Sequence, residues 1–280
     1  MSKTVSLINM KGGVGKSTLT VNLAWHLSCY TNWMKKVLVV DLDPQFNASQ
    51  YLVGVDKYYD FINDGKPTIW DVFEQHKRTP NGKNKLVSPK DAIRNVVNFK
   101  GGGKIDLLPS QLELSLSLKN PTQKPELLAK LLKKVEDEYD LILIDCAPTE
   151  SVLTTAAYLA SDYLLVPVKP EYLSTIGLPL LVNSMTDFLA EYDDQSLELL
   201  GVVYNGCSGY YPEEQKSKME VAKLSAKHGW DIFDSEITYS RSYPKGAREG
   251  TPIFRTSYVR TAQATKFREF ANEFGKRVGL

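Results

Sequence analysis

Between residues 11 and 18 the chain reads Lys11-Gly12-Gly13-Val14-Gly15-Lys16-Ser17-Thr18, a set of residue types that suits the binding of phosphates. Glycines let backbone N–H groups turn inward around phosphate oxygens, and a helix starting at Lys16 adds the positive end of its dipole. Lys16 offers a point charge to β- and γ-phosphates, the Ser17 hydroxyl suits Mg2+, and Thr18 can bond an α-phosphate. The general expression G-x-x-x-x-G-K-[ST] requires glycine where this chain has Met10, so the loop departs from it and carries an additional lysine, Lys11.

Aspartates at the ends of two apolar runs could complete a phosphoryl-transfer centre. Val39-Val40-Asp41-Leu42-Asp43 closes one run, and Asp145 follows four apolar residues, Leu141 to Ile144. Magnesium keeps several waters and needs one or two carboxylates, which fits Asp41 and Asp145 as ligands acting through water. Asp43 fits the group that orients or deprotonates the attacking water, because a loose transition state leaves mainly positioning to the protein. Each aspartate alone suits a helix cap or turn equally well. Their strand-end places beside a phosphate loop favour the chemical reading.

The elements that must position these residues follow from periodicity. Val5 to Asn9, Lys36 to Val40, Ile105 to Leu108, Leu141 to Ile144, Tyr163 to Val166 and Leu199 to Tyr204 are near-continuously apolar, as parallel strands covered on both faces should be. Leu19, Leu23 and Leu27 share a helical face, as do Leu127, Leu128, Leu131 and Val135. The alternation predicts an α/β fold: an open, mostly parallel twisted sheet with helices on both faces, binding its ligand outside the carboxyl ends of the strands. Residues 1–280 are read as one P-loop ATPase domain. Residues 54 to about 104 form an elaborated surface segment, with loop signals at 63–67, 79–85 and 99–104 around short helical pieces near Trp70 and Ala92.

Composition narrows the class further. The 280 residues are 42% hydrophobic and 24% charged, with net charge +1, so any nucleic-acid or membrane partner must be met by a local patch. Cys29, Cys146 and Cys207 lie far apart without a C-x-x-C pair, which argues against a disulfide framework or zinc site. No signal peptide is recognised, and no apolar stretch approaches the ~20 residues of a membrane span. The expectation is a soluble cytoplasmic protein.

With these segments on the page, the chain resembles the deviant Walker-A ATPases of the ParA/Soj and MinD superfamily, specifically the ParA/Soj branch. The resemblance covers nearly the whole chain: KGGVGKST at 11–18, VVDLDPQFNAS at 39–49, TIWDVF at 68–73, IDLLPSQLEL at 105–114, YDLILIDCAP at 139–148, PVKPEYLSTIGL at 167–178 and GTPIF at 250–254. It implies an ATP- and Mg2+-dependent ATPase that works as a nucleotide-gated sandwich homodimer. Lys11 matches the signature lysine that reaches the phosphates held by the other protomer. Lys16, Ser17 and Thr18 match the cis phosphate and magnesium ligands, Asp43 the water-activating aspartate, and Asp41 and Asp145 the magnesium-side carboxylates. The resemblance also implies plasmid or chromosome partition, with the ATP dimer binding double-stranded DNA without sequence preference on the nucleoid. A ParB-like centromere-binding partner would stimulate hydrolysis.

The chain departs from the pattern in places. Phe46 stands where the family usually has glycine, and Cys146-Ala147-Pro148 where a proline pair is usual. The adenine-loop pattern is blurred between Asp234 and Pro244. Asn205 is assigned to adenine contact, although a strand-end cap would use the same residue. From Glu236 to Leu280 there are nine Lys and Arg against four Glu, among them Arg241, Lys245, Arg248, Arg255, Arg260, Lys266 and Arg268. These make either a phosphate-binding face or ordinary solvated charge.

Other members of the superfamily supply the alternatives. A MinD-like membrane-positioning ATPase would use a C-terminal amphipathic anchor, and Phe267, Phe270, Phe274 and Val278 do share a face. Glu269 and Glu273 among the lysines and arginines suit core packing better. Positioning of a protein cargo is the other alternative. An iron–sulfur ATPase of the nitrogenase type would need paired cysteines, whereas Cys146 reads as a buried thiol. His26, in the helix after the phosphate loop, is read as a helix-surface or packing residue, and His76 and His228 have no acid or nucleophile at motif spacing. The pairs Tyr58-Tyr59 and Tyr210-Tyr211 are read as packing on their own domain.

Overall fold

The runs at 36–42 and 141–146 are apolar at nearly every position, so strands built from them must be covered on both faces. The computed structural model meets that demand with eight strands. They are β1 (Lys3–Leu7), β2 (Lys36–Leu42), β3 (Arg94–Asn98), β4 (Lys104–Leu108), β5 (Leu141–Cys146), β6 (Tyr163–Val168), β7 (Glu198–Cys207) and β8 (Ile237–Thr238). They form one sheet in the order β3-β4-β2-β5-β1-β6-β7-β8. Neighbours pair in parallel except for the antiparallel edge pair β3–β4. The structure describes residues 2–75, 86–119, 124–171, 177–209, 211–257 and 260–280. The loop signal at 79–85, His76, Tyr210 and residues 172–176 of the PVKPEYLSTIGL segment lie outside the described residues.

Pleating sends alternate residues to opposite faces. Val37, Val39, Leu141 and Leu143 pack on one side with α1 (Lys16–Cys29), α2 (Asn47–Val53) and the C-terminal helix. Leu38, Val40, Ile142 and Ile144 pack on the other with the helices Ile69–Glu74, Glu126–Leu132, Val152–Leu159 and Gly177–Glu191. In chain order the remaining α-helices among the described residues are α3 (Val55–Asn63), α4 (Ile69–Glu74), α5 (Pro89–Ala92), α6 (Glu126–Leu132), α7 (Val152–Leu159), α8 (Gly177–Glu191), α9 (Pro212–His228), α10 (Ser242–Glu249) and α11 (Thr261–Val278). Leu19, Leu23 and Leu27 of α1 are fully buried, as their spacing predicts. Val135 is buried too, but α6 ends before it.

The segment at 54–104 contributes to the core of the sheet. Ile69, Val72 and Phe73 of α4 are buried in the sheet's core, and β3 extends the sheet itself. A capping box in which the Thr68 amide donates to Asp71 Oδ2 at 2.8 Å fixes the start of α4. Helix α3 and strand β3 are not evident from periodicity. The first sits between loop signals, and the second has only Val96 and Val97 between polar residues.

The C-terminal helix turns its apolar face inward. Phe267, Phe270 and Phe274 are fully buried and Val278 nearly so, in the cluster formed by α1 and the sheet. The apolar face that a membrane anchor would need is thereby used up in the core. Among the described residues no helix is long and apolar enough to cross a membrane. Replacing Phe270 with Ala should cost about 3–5 kcal/mol of stability. Urea denaturation, with the slope unchanged and the midpoint lowered, checks this.

Candidate active site

The loop between β1 and α1 leaves the sheet where chains on its two sides diverge, because β1 lies between β5 and β6 while α1 leads to β2 beyond β5. Such a switch point opens a crevice at the strands' carboxyl ends. Asn9 fixes the start of the loop: its amide donates to the Pro167 carbonyl at 2.8 Å, and its oxygen accepts from the Lys11 amide at 2.8 Å. Gly13 and Gly15 take φ of 75° and 98°, backbone that a side chain would strain. At Gly15 space is also exhausted, since a Cβ there would lie 2.1 Å from the Asn205 amide nitrogen.

Asn205 itself, on β7, donates to the Val14 carbonyl at 2.7 Å and so holds the loop from the side. Lys16 is 7% exposed and its ammonium donates to the carbonyls of Asn9 (3.0 Å) and Lys11 (3.1 Å), spanning the loop. Burial pulls the Lys16 pKa down, opposed by the negative groups at Asp145, Cys146 and Asp43.

Beneath the loop the two predicted metal-side carboxylates stand in register on adjacent strands, Asp41 opposite Asp145. Both are fully buried. Asp41 accepts from the Ser49 amide and hydroxyl, each at 2.7 Å, and from the Asp43 amide at 3.2 Å. Burial still outweighs these bonds and pushes its pKa up to about 7. Asp145 is raised well above the usual carboxylate range, by burial first and then by Asp41. The Ser17 hydroxyl favours its charged form, yet neither carboxylate oxygen has a partner at hydrogen-bond geometry.

A buried carboxylate with both oxygens unpartnered fits a hard cation brought in with phosphate. Among the described residues no cluster of three or more His, Cys, Asp or Glu could hold a metal unaided.

Asp43 is 7% exposed and shapes its own turn: Oδ1 accepts from the Gln45 amide at 2.9 Å, and its carbonyl accepts from the Phe46 amide at 2.9 Å. Phe46 completes the turn in the left-handed region at φ 45°, a conformation that costs a non-glycine residue about 1–3 kcal/mol. A cleft of about 490 Å3 is lined by Gly12 to Thr18 in part, by Asp43, Gln45 and Tyr51, and by Pro148 across from them. A larger cavity of about 730 Å3, lined by Leu86, Leu127, Lys130 and neighbouring residues, has no comparable phosphate-binding backbone. The chemistry belongs to the smaller one.

The structure thus gathers Lys16, Ser17, Thr18, Asp41, Asp43 and Asp145 at one place and sets Asn205 against the loop's backbone. Lys11 is half-buried. Sequence reasoning misses Asn9 and Ser49; a polar residue closing the first apolar run is the available signal for Asn9, and nothing in the spacing marks Ser49 as the donor to Asp41. Cys146 is buried and its thiol is pushed up to about 12, an inert group instead of a cluster ligand.

Known proteins share these features. Residues 2–199 match the family model described as an AAA domain. An uncharacterised protein of Mycobacterium tuberculosis is 31% identical over the whole chain and 80% of its own length. The chromosome-partitioning ATPase Soj of Treponema pallidum is 28% identical, covering 100% of this chain and 99% of that protein. The chain belongs to the ParA/MinD family of P-loop ATPases. Among solved structures, the ATP complex of a point variant of Cyanothece McdA superposes with a TM-score of 0.80 at 20% identity, over 100% of this chain and 97% of that one, and so shares the fold. As a ParA/MinD ATPase the protein hydrolyses ATP.

The carboxylate pair gives this ATPase a pH signature. Asp41 titrates near 7 when folded against 3.8 ordinarily, so the folded state holds the proton more tightly. Its contribution to stability is fully present below about pH 4 and is lost as pH rises through 7. The nucleotide-free protein should therefore lose stability between pH 5 and 8 relative to an Asp145→Asn variant, in which one buried charge is gone. Urea midpoints of both proteins across that range check it.

Proposed function

We propose that the protein is a nucleotide-gated dimer switch of DNA partition, binding duplex DNA without sequence preference as its ATP dimer. The observation that carries the reading is the second lysine of the phosphate loop. Lys16 is turned inward across its own loop, which leaves the charge of Lys11, half-buried in the same loop, as the additional one. A metaphosphate-like transition state rewards additional positive charge, and a lysine from a second protomer would supply it only after assembly.

In this reading the loop amides and Lys16 bind the β- and γ-phosphates, and Thr18 the α-phosphate. Ser17 with Asp41 and Asp145 would hold Mg2+, the aspartates through water; the ion would neutralise charge on the phosphates. Asp43 orients the attacking water and accepts its proton. Asn205 keeps the loop in shape and remains the candidate for the adenine side of the cleft. Hydrolysis removes the charge that Lys11 binds, and the dimer falls apart. The partner that triggers hydrolysis would be a ParB-like centromere-binding protein.

Support for DNA comes from the exposed basic residues of the last 45 positions. Arg241, Arg248 and Arg260 are exposed without a partner among the described residues, whereas Arg255 lies over Trp25 and Lys266 pairs with Glu269.

A Lys11→Ala variant is expected to bind ATP while failing to dimerise, and sedimentation velocity with ATP and Mg2+ reads both states. ATP dimers in that variant would refute the role given to Lys11. Binding to random duplex is expected to require ATP and to fall steeply with salt, by about tenfold or more between 50 and 200 mM. Fluorescence anisotropy checks it, and binding that ignores nucleotide would point to another cargo.

A further inference from the structure

The turn after Asp43 contains a local conflict. Glycine would adopt the φ of 45° at Phe46 without cost, so what phenylalanine adds at this position is its ring. That ring lies flat on Tyr58 of α3, with centroids 5.0 Å apart and planes 9° from parallel. Tyr58 is buried, and its hydroxyl donates to the Ser110 carbonyl at 3.0 Å. The Ser110 amide donates to Ser49 Oγ at 3.1 Å, and Ser49 Oγ donates to Asp41 at 2.7 Å. On its other side Phe46 closes back on Asp43 through its amide. Ring, turn and carboxylates therefore form one closed circuit. A left-handed residue other than glycine persists where its surroundings over-determine it, and the flat stack is the contact that does so here.

We infer that the Phe46–Tyr58 stack is a positioning clamp that fixes the turn carrying Asp43, so that the rate of ATP hydrolysis depends on two rings outside the nucleotide cleft. Gln45, Asn47 and Tyr51 line the cleft, whereas Phe46 and Tyr58 do not. The clamp acts through Asp43 and rests on the reading of Asp43 as the residue that positions water. Loosening it misplaces that carboxylate without touching the phosphate loop, which loads the effect onto kcat.

The test compares steady-state ATP hydrolysis with Mg2+ in wild type, Phe46→Gly, Phe46→Tyr, Tyr58→Leu, the double variant Phe46→Gly/Tyr58→Leu, and Asp43→Ala. Phe46→Gly is expected to lower kcat about tenfold with KM for ATP within about twofold, because a displacement of under an ångström at a reacting group has effects of that order. Phe46→Tyr should restore the rate, and the double variant should be no slower than either single one, as expected of two residues acting as a unit. Phe46→Gly relaxes the backbone, so it and Phe46→Tyr carry the test even if Tyr58→Leu fails to fold. A wild-type kcat in Phe46→Gly, a defect confined to KM, or a Phe46→Tyr as slow as Phe46→Gly would overturn the clamp. The Asp43→Ala arm separates two failures. If it is inactive while Phe46→Gly is normal, the clamp alone is wrong; if it hydrolyses ATP normally, the role of Asp43 is wrong and the clamp with it.

Discussion

The structure is organised around two carboxylates buried side by side with too little positive charge to settle them. Asp41 and Asp145 face each other across β2 and β5 with no exposure to solvent. Asp41 has three hydrogen-bond donors and Asp145 has none at hydrogen-bond geometry among the described residues. Burying an unpaired charge is among the most costly things a fold can do, and burial raises the affinity of such groups for a proton. The surrounding strands are apolar and fully packed, so the pair has no route to water except upward, toward the phosphate loop. The desolvation that makes the site unfavourable when empty is what makes a phosphate-bound cation favourable when it arrives.

Holding a glycine-rich loop over such a pair requires supports from outside it. Three asparagines tie it down, Asn9 at the loop's own start, Asn205 on β7 and Asn22 on α1. Asn9 ties the loop to β6, Asn205 ties it to β7, and Asn22 on α1 donates to Thr18 and Tyr51 while accepting from the Ile253 amide at 2.7 Å. A primary amide suits this work because it donates and accepts at one end of a short side chain. Asn22 also explains how the late GTPIF segment bears on the site without lining the phosphates: its backbone is bonded to the helix that begins at Lys16.

What is legible in the sequence has a local cause. The strands can be read because burial on both faces leaves continuous apolar runs, and the loop because glycine, lysine and serine occur together for one purpose. The cost of any side chain at Gly15 is local in cause too, but its second reason, Asn205, comes from a strand far along the chain. Ser49 and Ser110 are invisible for the same reason, since their partners are set by tertiary packing and serine is ordinary at any turn. Phe46 is visible as an oddity, and only the structure supplies its partner. In the 54–104 segment glycine, proline and asparagine signal turns without saying whether the short elements between them are buried. Ile69, Val72 and Phe73 fill the core from a helix of only six residues.

Surface charge links the two halves of the functional reading. Arg255 lies over Trp25 and Phe99, Arg268 lies over Tyr30, and Lys245 is bonded to Ser257, so a simple count of basic residues overstates the charge on offer to phosphates. The arginines that remain exposed and unpartnered among the described residues, Arg241, Arg248 and Arg260, would release only a few counterions from DNA. A contact of that size is weak at physiological salt. Joining two protomers makes the second set of contacts intramolecular, and affinity then rises by far more than twofold. With net charge +1 there is no global field to compensate if that second set is missing. In the proposed reading, sequence-indifferent DNA binding would follow from dimerisation, and the lysine that would govern assembly would govern it as well.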